Sequence, residues 1–204
     1  MVNFAIERQF LHKGFRLIAG VDEVGRGALF GPVVAAAVIL PAAFFKGKVP
    51  DWVRETKDSK LLTPGKRQKL ARQIASQVES LGIGLSSNIE VDEKNVYWAS
   101  LAAMERAVQN LHLKPDVLLV DGFLLRDVPC FQEGIPQGDQ KSISIAAASI
   151  VAKVLRDDMM VLLDEIYGGY ALKKNKGYGT KKHYQALKEL GRTSFHRLSF
   201  NLKL

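Results

Sequence analysis

A mixed-sheet α/β fold is what the 204 residues predict, on three observations. Two apolar runs of strand length, residues 15–21 and 33–40, lie close together near the N-terminus with Gly25, Gly27 and Gly31 between them. Apolar stripes at helical spacing fill the connections further along. The short run 117–120 ends in Asp121-Gly122, the form of a buried central strand that delivers a carboxylate at its carboxyl end.

Residues 33–40 are rich in β-branched and small side chains and read as a fully buried strand, paired with 15–21 through a tight loop. Thr63 followed by Pro64 marks a helix start, cap then first turn, and Leu70, Ile74, Val78 and Leu81 continue one apolar stripe. Residues 82–89 give a third strand. Asp92 is placed as the cap of a long helix through Val96, Ala99, Ala103, Ala107 and Leu111, with Pro115 beyond its end. After the strand that ends at Asp121, residues 123–140 read as irregular with room for one short strand. Ser142 to about Ile166 is a long helix buried along Ile143, Ala147, Ile150, Val154 and Leu155. A basic, glycine-containing loop follows from Gly168 to Tyr178, and Thr180 caps a last helix through Leu187. No repeat interrupts this order, so residues 1–204 are expected to form one catalytic domain, with about 168–204 as a basic loop and helical extension.

Hydrophobic residues make up 47% and charged residues 25%, a balance that supports a globular core. Lys plus Arg number 29 against 21 Asp plus Glu, a formal charge of +8, and a polyanionic partner is the natural expectation. The lone Cys130 excludes an internal disulfide or a thiolate zinc site and fits a reducing cytoplasm. The N-terminus, with Glu7, Arg8, Lys13 and Arg16, lacks the apolar core of a signal peptide. Residues 28–45 are uncharged, but Pro32 and Pro41 punctuate them, so a buried strand explains them better than a membrane span. No membrane association is expected, and nothing in the sequence asks for more than a monomer.

Asp22 and Glu23 stand side by side at the end of the first strand. Adjacent strand residues point to opposite faces, so both reach one site only if the strand breaks there. Two carboxylates held close raise each other's pKa unless a cation neutralises them, and hard oxygen ligands suit Mg²⁺ or Mn²⁺. Asp-Glu pairs are common on solvated surfaces; the apolar strand before this pair and Gly25-Arg26-Gly27 after it distinguish it. Gly-Arg-Gly lets a backbone approach a sugar or phosphate closely, although a hairpin turn with a solvated arginine has the same composition.

The run AGVDEVGRGALFGPVVAAAVIL (19–40) resembles the N-terminal signature of the bacterial ribonuclease HII family. DSKLLTPGKR (58–67), LLVDG (118–122), GDQKSISIAAASIVAKVLRD (138–157), NKGYGTKKH (175–183) and FHRLSF (195–200) follow in that family's order. The resemblance implies a ribonuclease H-like fold with a mixed five-stranded sheet flanked by helices, its first and fourth strands adjacent. It implies four acidic catalytic and metal-ligating residues, matched here by Asp22, Glu23, Asp121 and Asp139. It implies substrate contacts from Gly25, Arg26 and Gly27 toward the 2′-hydroxyl and neighbouring phosphates, and from Tyr178 at the junction with DNA. Lys60 in Asp58-Ser59-Lys60 is a candidate phosphate contact, and Lys173, Lys174, Lys176, Lys181 and Lys182 surround Tyr178 as a basic cluster.

Phosphodiester hydrolysis needs an activated water, a stabilised phosphorane and a neutralised leaving oxygen, and two Mg²⁺ or Mn²⁺ ions held by four carboxylates meet those needs. The implied activity is cleavage of the RNA strand of RNA–DNA hybrids and on the 5′ side of single ribonucleotides in duplex DNA, leaving a 3′-hydroxyl and a 5′-phosphate. A non-catalytic nucleic-acid-binding module shares the charge but gives no reason for acids at strand ends. A small-nucleotide phosphatase needs neither the basic loop nor its tyrosine. Asp157, Asp158, His183, His196 and Ser149 are left outside the catalytic set. The sequence departs from the family's pattern at Ala28, Leu61 and Pro136-Gln137; the proline predicts that the strand before Asp139 is short or at an edge.

Overall fold

The computed structural model describes residues 3–47, 49–56 and 62–201. Five strands form one sheet: β1 (Ile18–Val24), β2 (Val33–Ile39), β3 (Ser80–Ser86), β4 (Val117–Asp121) and β5 (Phe131–Ile135), in the spatial order β3-β2-β1-β4-β5. β1 pairs antiparallel with β2 and parallel with β4, and β2 pairs antiparallel with β3 and β4 parallel with β5, so the sheet is mixed, as the sequence predicts. The helices are α1 (Ala5–His12), α2 (Ala42–Phe45), α3 (Trp52–Thr56), α4 (Pro64–Gln77), α5 (Asn88–Gln109), α6 (Ile143–Ile166), α7 (Leu172–Asn175) and α8 (Lys181–Leu190).

Side-chain alternation divides the core between the two sheet faces. Val33, Ala35, Ala37 and Ile39 of β2, with Ala19 and Val21 of β1, pack against Ala99, Ala103 and Ala107 of α5. Ala36 and Val38 of β2 turn to the other face, toward Leu70 and Ile74 of α4 and Ala147 and Val151 of α6. β2 is buried on both faces throughout, which is why its sequence is a continuous apolar run instead of an alternating one. On β3, a Cβ at Gly82 would lie 2.0 Å from the Ala107 carbonyl oxygen and one at Gly84 2.0 Å from that of Ala103. Only glycine lets α5 lie so low on the sheet.

Several boundaries differ from the sequence reading. The first strand begins at Ile18, three residues later than expected, and continues through Glu23 and Val24, which pair with Ala35 and Val34. The break lies at Gly25, whose φ is +97°. α4 ends at Gln77, and Leu81, counted as helical, belongs to β3. Asp92 does not cap α5. Ser87 does, in a reciprocal capping box with Glu90, because a hydroxyl with a Glu three residues on satisfies two orphan donors at once. Asp92 instead accepts hydrogen bonds from the backbone of Leu198 and Ser199 and from the Ser199 hydroxyl, anchoring the C-terminal segment. α5 is interrupted at Asn95 (φ 64°), whose side chain accepts from the Tyr97 and Trp98 amides and restarts the helix. β5 has five residues and sits at the sheet edge, as Pro136 predicts.

Candidate active site

The parallel pairing of β1 and β4 brings the first acids together. The ladder's last pair is Val21 with Val120, so Asp22 and Asp121 follow side by side at the carboxyl ends of neighbouring central strands. Neighbouring parallel strands in register point equivalent residues to the same face, so a separation of 99 positions in sequence does not keep these two apart. Asp22 is 5% exposed, and its carboxylate accepts from the Glu23 amide at 2.7 Å and from the Ser149 side chain on α6. Burial, then the charges of Glu23 and Asp121, hold the Asp22 carboxyl well above the ordinary carboxylate range. Glu23 is also raised, by burial first and by Asp121, while the Arg26 guanidinium 3.3 Å away works in the other direction.

Asp121 Oδ1 accepts the Gly138 amide at 2.6 Å. That bond ties the end of β4 to the 3₁₀ turn Gly138–Gln140, which carries Asp139. A Cβ on Gly138 would meet Ile145 Cδ1 at 2.5 Å, so glycine lets the turn seat against α6. Despite Pro136-Gln137, Asp139 lines the same cleft as Glu23, a space of about 290 Å³ bounded also by Val24, Arg67, Ser149, Ile150 and Lys153. Sequence reasoning left Ser149 out and did not single out Arg67 or Lys153. Arg67 and Lys153 both pair with Asp157 of α6, which holds two cations on the wall of this cleft. A lysine and an aspartate one helical turn apart beside the alanine-rich stretch was the available signal.

The substrate-side candidates form a second group. Gly25 lies where a Cβ would collide with the Arg156 guanidinium at 2.2 Å, and its positive φ turns the chain out of β1. Arg26 and Gly27 are exposed at the tip. Tyr178 lies across from Ala28 in an isolated antiparallel bridge, and the Leu29 amide donates to the Gly177 carbonyl at 2.8 Å. The Tyr178 backbone and the Gly-Arg-Gly loop are therefore neighbours. Lys60 lies outside the described residues. Lys173, Lys174, Lys181 and Lys182 are exposed around Tyr178, whereas Lys176 is partly buried and donates to the Asp157 carbonyl.

Two buried arginines brace this group, and neither was foreseen from sequence. Arg156 donates to the carbonyls of Phe30, Pro32 and Lys176 and faces the Tyr178 ring at 5.4 Å. Arg197 donates to the carbonyls of Arg26 and Gly31. Burial lowers the pKa of both, yet backbone carbonyls satisfy their N–H groups. An arginine in the apolar register of a long helix, as Arg156 is after Val154-Leu155, was the available sign.

The donor set fits a hard divalent cation. Three oxygen-bearing side chains share one charge environment, and Glu23 Oε2 is buried with no hydrogen-bond partner. Among the described residues no group of three or more His, Cys, Asp or Glu could hold a metal ion by itself. Oxygen-only donors of this kind would suit a hard ion such as Mg²⁺ or Mn²⁺ more than zinc. His183 and His196 lie apart from the carboxylates, bonded to each other.

The family model for ribonuclease HII matches residues 19–203. A ribonuclease HII of Trichormus variabilis is 50% identical over 185 residues, 90% of this chain and 81% of that protein. One from Dehalococcoides mccartyi is 46% identical over 197 residues, 97% of this chain and 92% of its own length. Among solved structures, the ribonuclease H2 of Pyrococcus horikoshii superposes with a TM-score of 0.71 at 25% identity, covering 90% of this chain and 93% of that one. Among the described residues, no helix is long and apolar enough to cross a membrane.

Proposed function

The chain belongs to the ribonuclease HII family, and from that membership we propose that it nicks duplexes at ribonucleotides, both single ones embedded in DNA and those of RNA–DNA hybrids. Metal-dependent endonuclease activity of the ribonuclease H type comes with the family; the substrate, the cut position and the residue roles are the proposal. The observation that carries it is the convergence of Asp22, Glu23 and Asp121 at the ends of β1 and β4, with Asp139 on the same cleft.

Asp22, Glu23, Asp121 and Asp139 would hold the metal ions, two during catalysis, with Asp22 and Asp121 central. When bound, such ions supply charge neutralisation for the attacking water, the phosphate and the leaving oxygen. The remaining work belongs to the protein. Gly138 fixes the Asp121 carboxylate through its amide, and Ser149 does the same for Asp22, so neither acid has to reorganise as the substrate arrives. Arg67 and Lys153 stand on the same cleft as cations for a phosphate oxygen. Gly25, Arg26 and Gly27 bring backbone and guanidinium against the ribonucleotide, where the 2′-hydroxyl is the group that separates the two sugars. Tyr178 packs at the following DNA nucleotide, and the cut on the 5′ side leaves a 3′-hydroxyl and a 5′-phosphate. Lys60, outside the described residues, is a further phosphate contact in this reading. We assign residues 1–204 to one catalytic domain acting as a monomer beside cytoplasmic DNA.

A labelled duplex with one ribonucleotide, incubated with Mg²⁺ or Mn²⁺, tests the proposal. The chain is expected to nick it on the 5′ side of the ribonucleotide and leave an all-DNA duplex intact. Asp121→Asn is expected to lower kcat by about 10²–10³-fold, the scale of losing a key electrostatic stabiliser, while binding is retained. An unchanged turnover in that variant removes Asp121 from the metal site, and no nicking by the parent chain defeats the reading.

A further inference from the structure

The loop that carries Arg26 is held between two flanks. On one side Leu29 donates to the Gly177 carbonyl and Ala28 faces Tyr178; on the other Gly31 donates to Phe195, Arg197 donates to Leu29, and Phe30 faces His196. The two flanks are joined to each other by a pair of histidines. His183 Nε2 lies 3.1 Å from His196 Nε2, and the rings are 0% and 2% exposed.

The protons in this pair follow from its neighbours. His196 Nδ1 accepts from the Thr193 amide at 2.9 Å, so the His196 proton resides on Nε2 and is donated to His183 Nε2. His183 then carries its own proton on Nδ1 and donates it to the Tyr178 carbonyl at 3.0 Å. The result is a one-directional chain from Thr193 through both neutral rings to Tyr178. Phe30 and Tyr170 flank the His196 ring, and burial first, then the neighbouring His183 and Arg192, keep it neutral. Two apolar rings would fill the same space without the cost of burying four polar nitrogens, so packing alone does not account for the pair.

We propose that the His183–His196 pair is a positioning element that fixes the distance between the Arg26 loop and Tyr178, and thereby tunes selection of a ribonucleotide followed by DNA. It rests on the reading of Tyr178 as the junction residue. Neither histidine touches the substrate; His183 acts through the Tyr178 carbonyl and His196 through His183 and the Phe30 strand bridge.

Steady-state cleavage of two duplexes, one with a single embedded ribonucleotide and one a continuous RNA–DNA hybrid, reads this out. His183→Phe keeps a ring and removes both polar ends. The KM for the single-ribonucleotide duplex is expected to rise roughly ten-fold, the scale of one hydrogen bond lost at a buried site, with kcat within about two-fold. The KM for the hybrid moves much less. His183→Asn, whose amide N–H can take the place of Nδ1, is expected to recover most of the loss. In a Tyr178→Ala background, His183→Phe is expected to leave the substrate ratio unchanged, since both act through one residue. Equal losses on both duplexes, or an additive effect in the Tyr178→Ala background, overturns the inference. If Tyr178→Ala alone leaves the ratio unmoved, the junction reading falls and takes the inference with it; if Tyr178→Ala moves the ratio and His183→Phe does not, only the inference fails. Should His183→Phe not fold, imidazole nitrogen NMR of the parent chain decides. The proton is expected on Nε2 of His196 and Nδ1 of His183 at neutral pH, and the opposite tautomers or a charged ring refute the chain of donors.

Discussion

At the scale of single residues, the fold places buried polar groups around the loop that carries Arg26. His196 shows how this couples to pH. Its folded pKa is about 4 against an ordinary 6.5, mainly from burial and then from His183 and Arg192. Between those values the unfolded chain binds the extra proton and the folded chain does not. Stability is therefore complete above about pH 6.5 and lost as pH falls toward about 4. Thermal midpoints recorded over that range are expected to fall several degrees more in the parent than in His196→Asn; parallel curves remove His196 as the source. The raised carboxyls of Asp22 and Glu23 act in the opposite sense, since the folded state there holds protons more tightly, so the difference between the two proteins is the informative quantity. Sequence made the acids legible and the arginines illegible for one reason. Asp121 ends a strand whose apolar pattern announces it, whereas Arg156 and Arg197 bond to carbonyls up to 171 positions away, and no local pattern encodes that.

At the scale of elements, legibility followed the range of the interactions. α6 and α8 start where Ser142 and Thr180 cap them, because a cap is a local event written within four residues. α5 was misplaced because Asp92 has a cap's chemistry and spends it on the tail, while the capping box at Ser87 lay inside what read as strand. β5 was legible only as an edge, through Pro136. The glycines of β3 give the clearest test at this scale. Gly84→Ala would place a methyl 2.0 Å from the Ala103 carbonyl oxygen, and backbone cannot rotate aside as a side chain can. The variant is expected to lose about 3 kcal/mol, the upper end of typical overpacking costs, measured by urea denaturation. A loss below about 0.5 kcal/mol would show that α5 is free to lift from the sheet.

At the scale of the whole molecule, the charge of +8 is unevenly placed. Acids gather at the carboxyl ends of β1 and β4, while Lys173, Lys174, Lys181 and Lys182 are exposed around Tyr178. If these lysines face phosphates, duplex affinity falls steeply with salt, and Lys181→Gln with Lys182→Gln lowers the slope of log affinity against log salt by about 2. Fluorescence anisotropy over a salt series measures this, and an unchanged slope would place the backbone contacts elsewhere. The sign of the charge was plain in the composition. The basic loop was plain in the sequence too; bringing the acids together required the parallel pairing of β1 with β4, and bringing Tyr178 beside the Arg26 loop required the return of the chain to Ala28.

The return of the C-terminal segment to the first loop also sets an order of assembly. A growing chain has supplied Asp22, Glu23, Asp121 and Asp139 by the time residue 139 is made, and with them the acids of the cleft. The Arg26 loop still lacks its brace until Arg197 is made and reaches the Arg26 and Gly31 carbonyls. The part that would cut is thus encoded well before the part that would choose. A chain interrupted before residue 195 would carry the acids without the Arg197 support under the Arg26 loop, so in this fold the brace of that loop is among the last contacts to be completed.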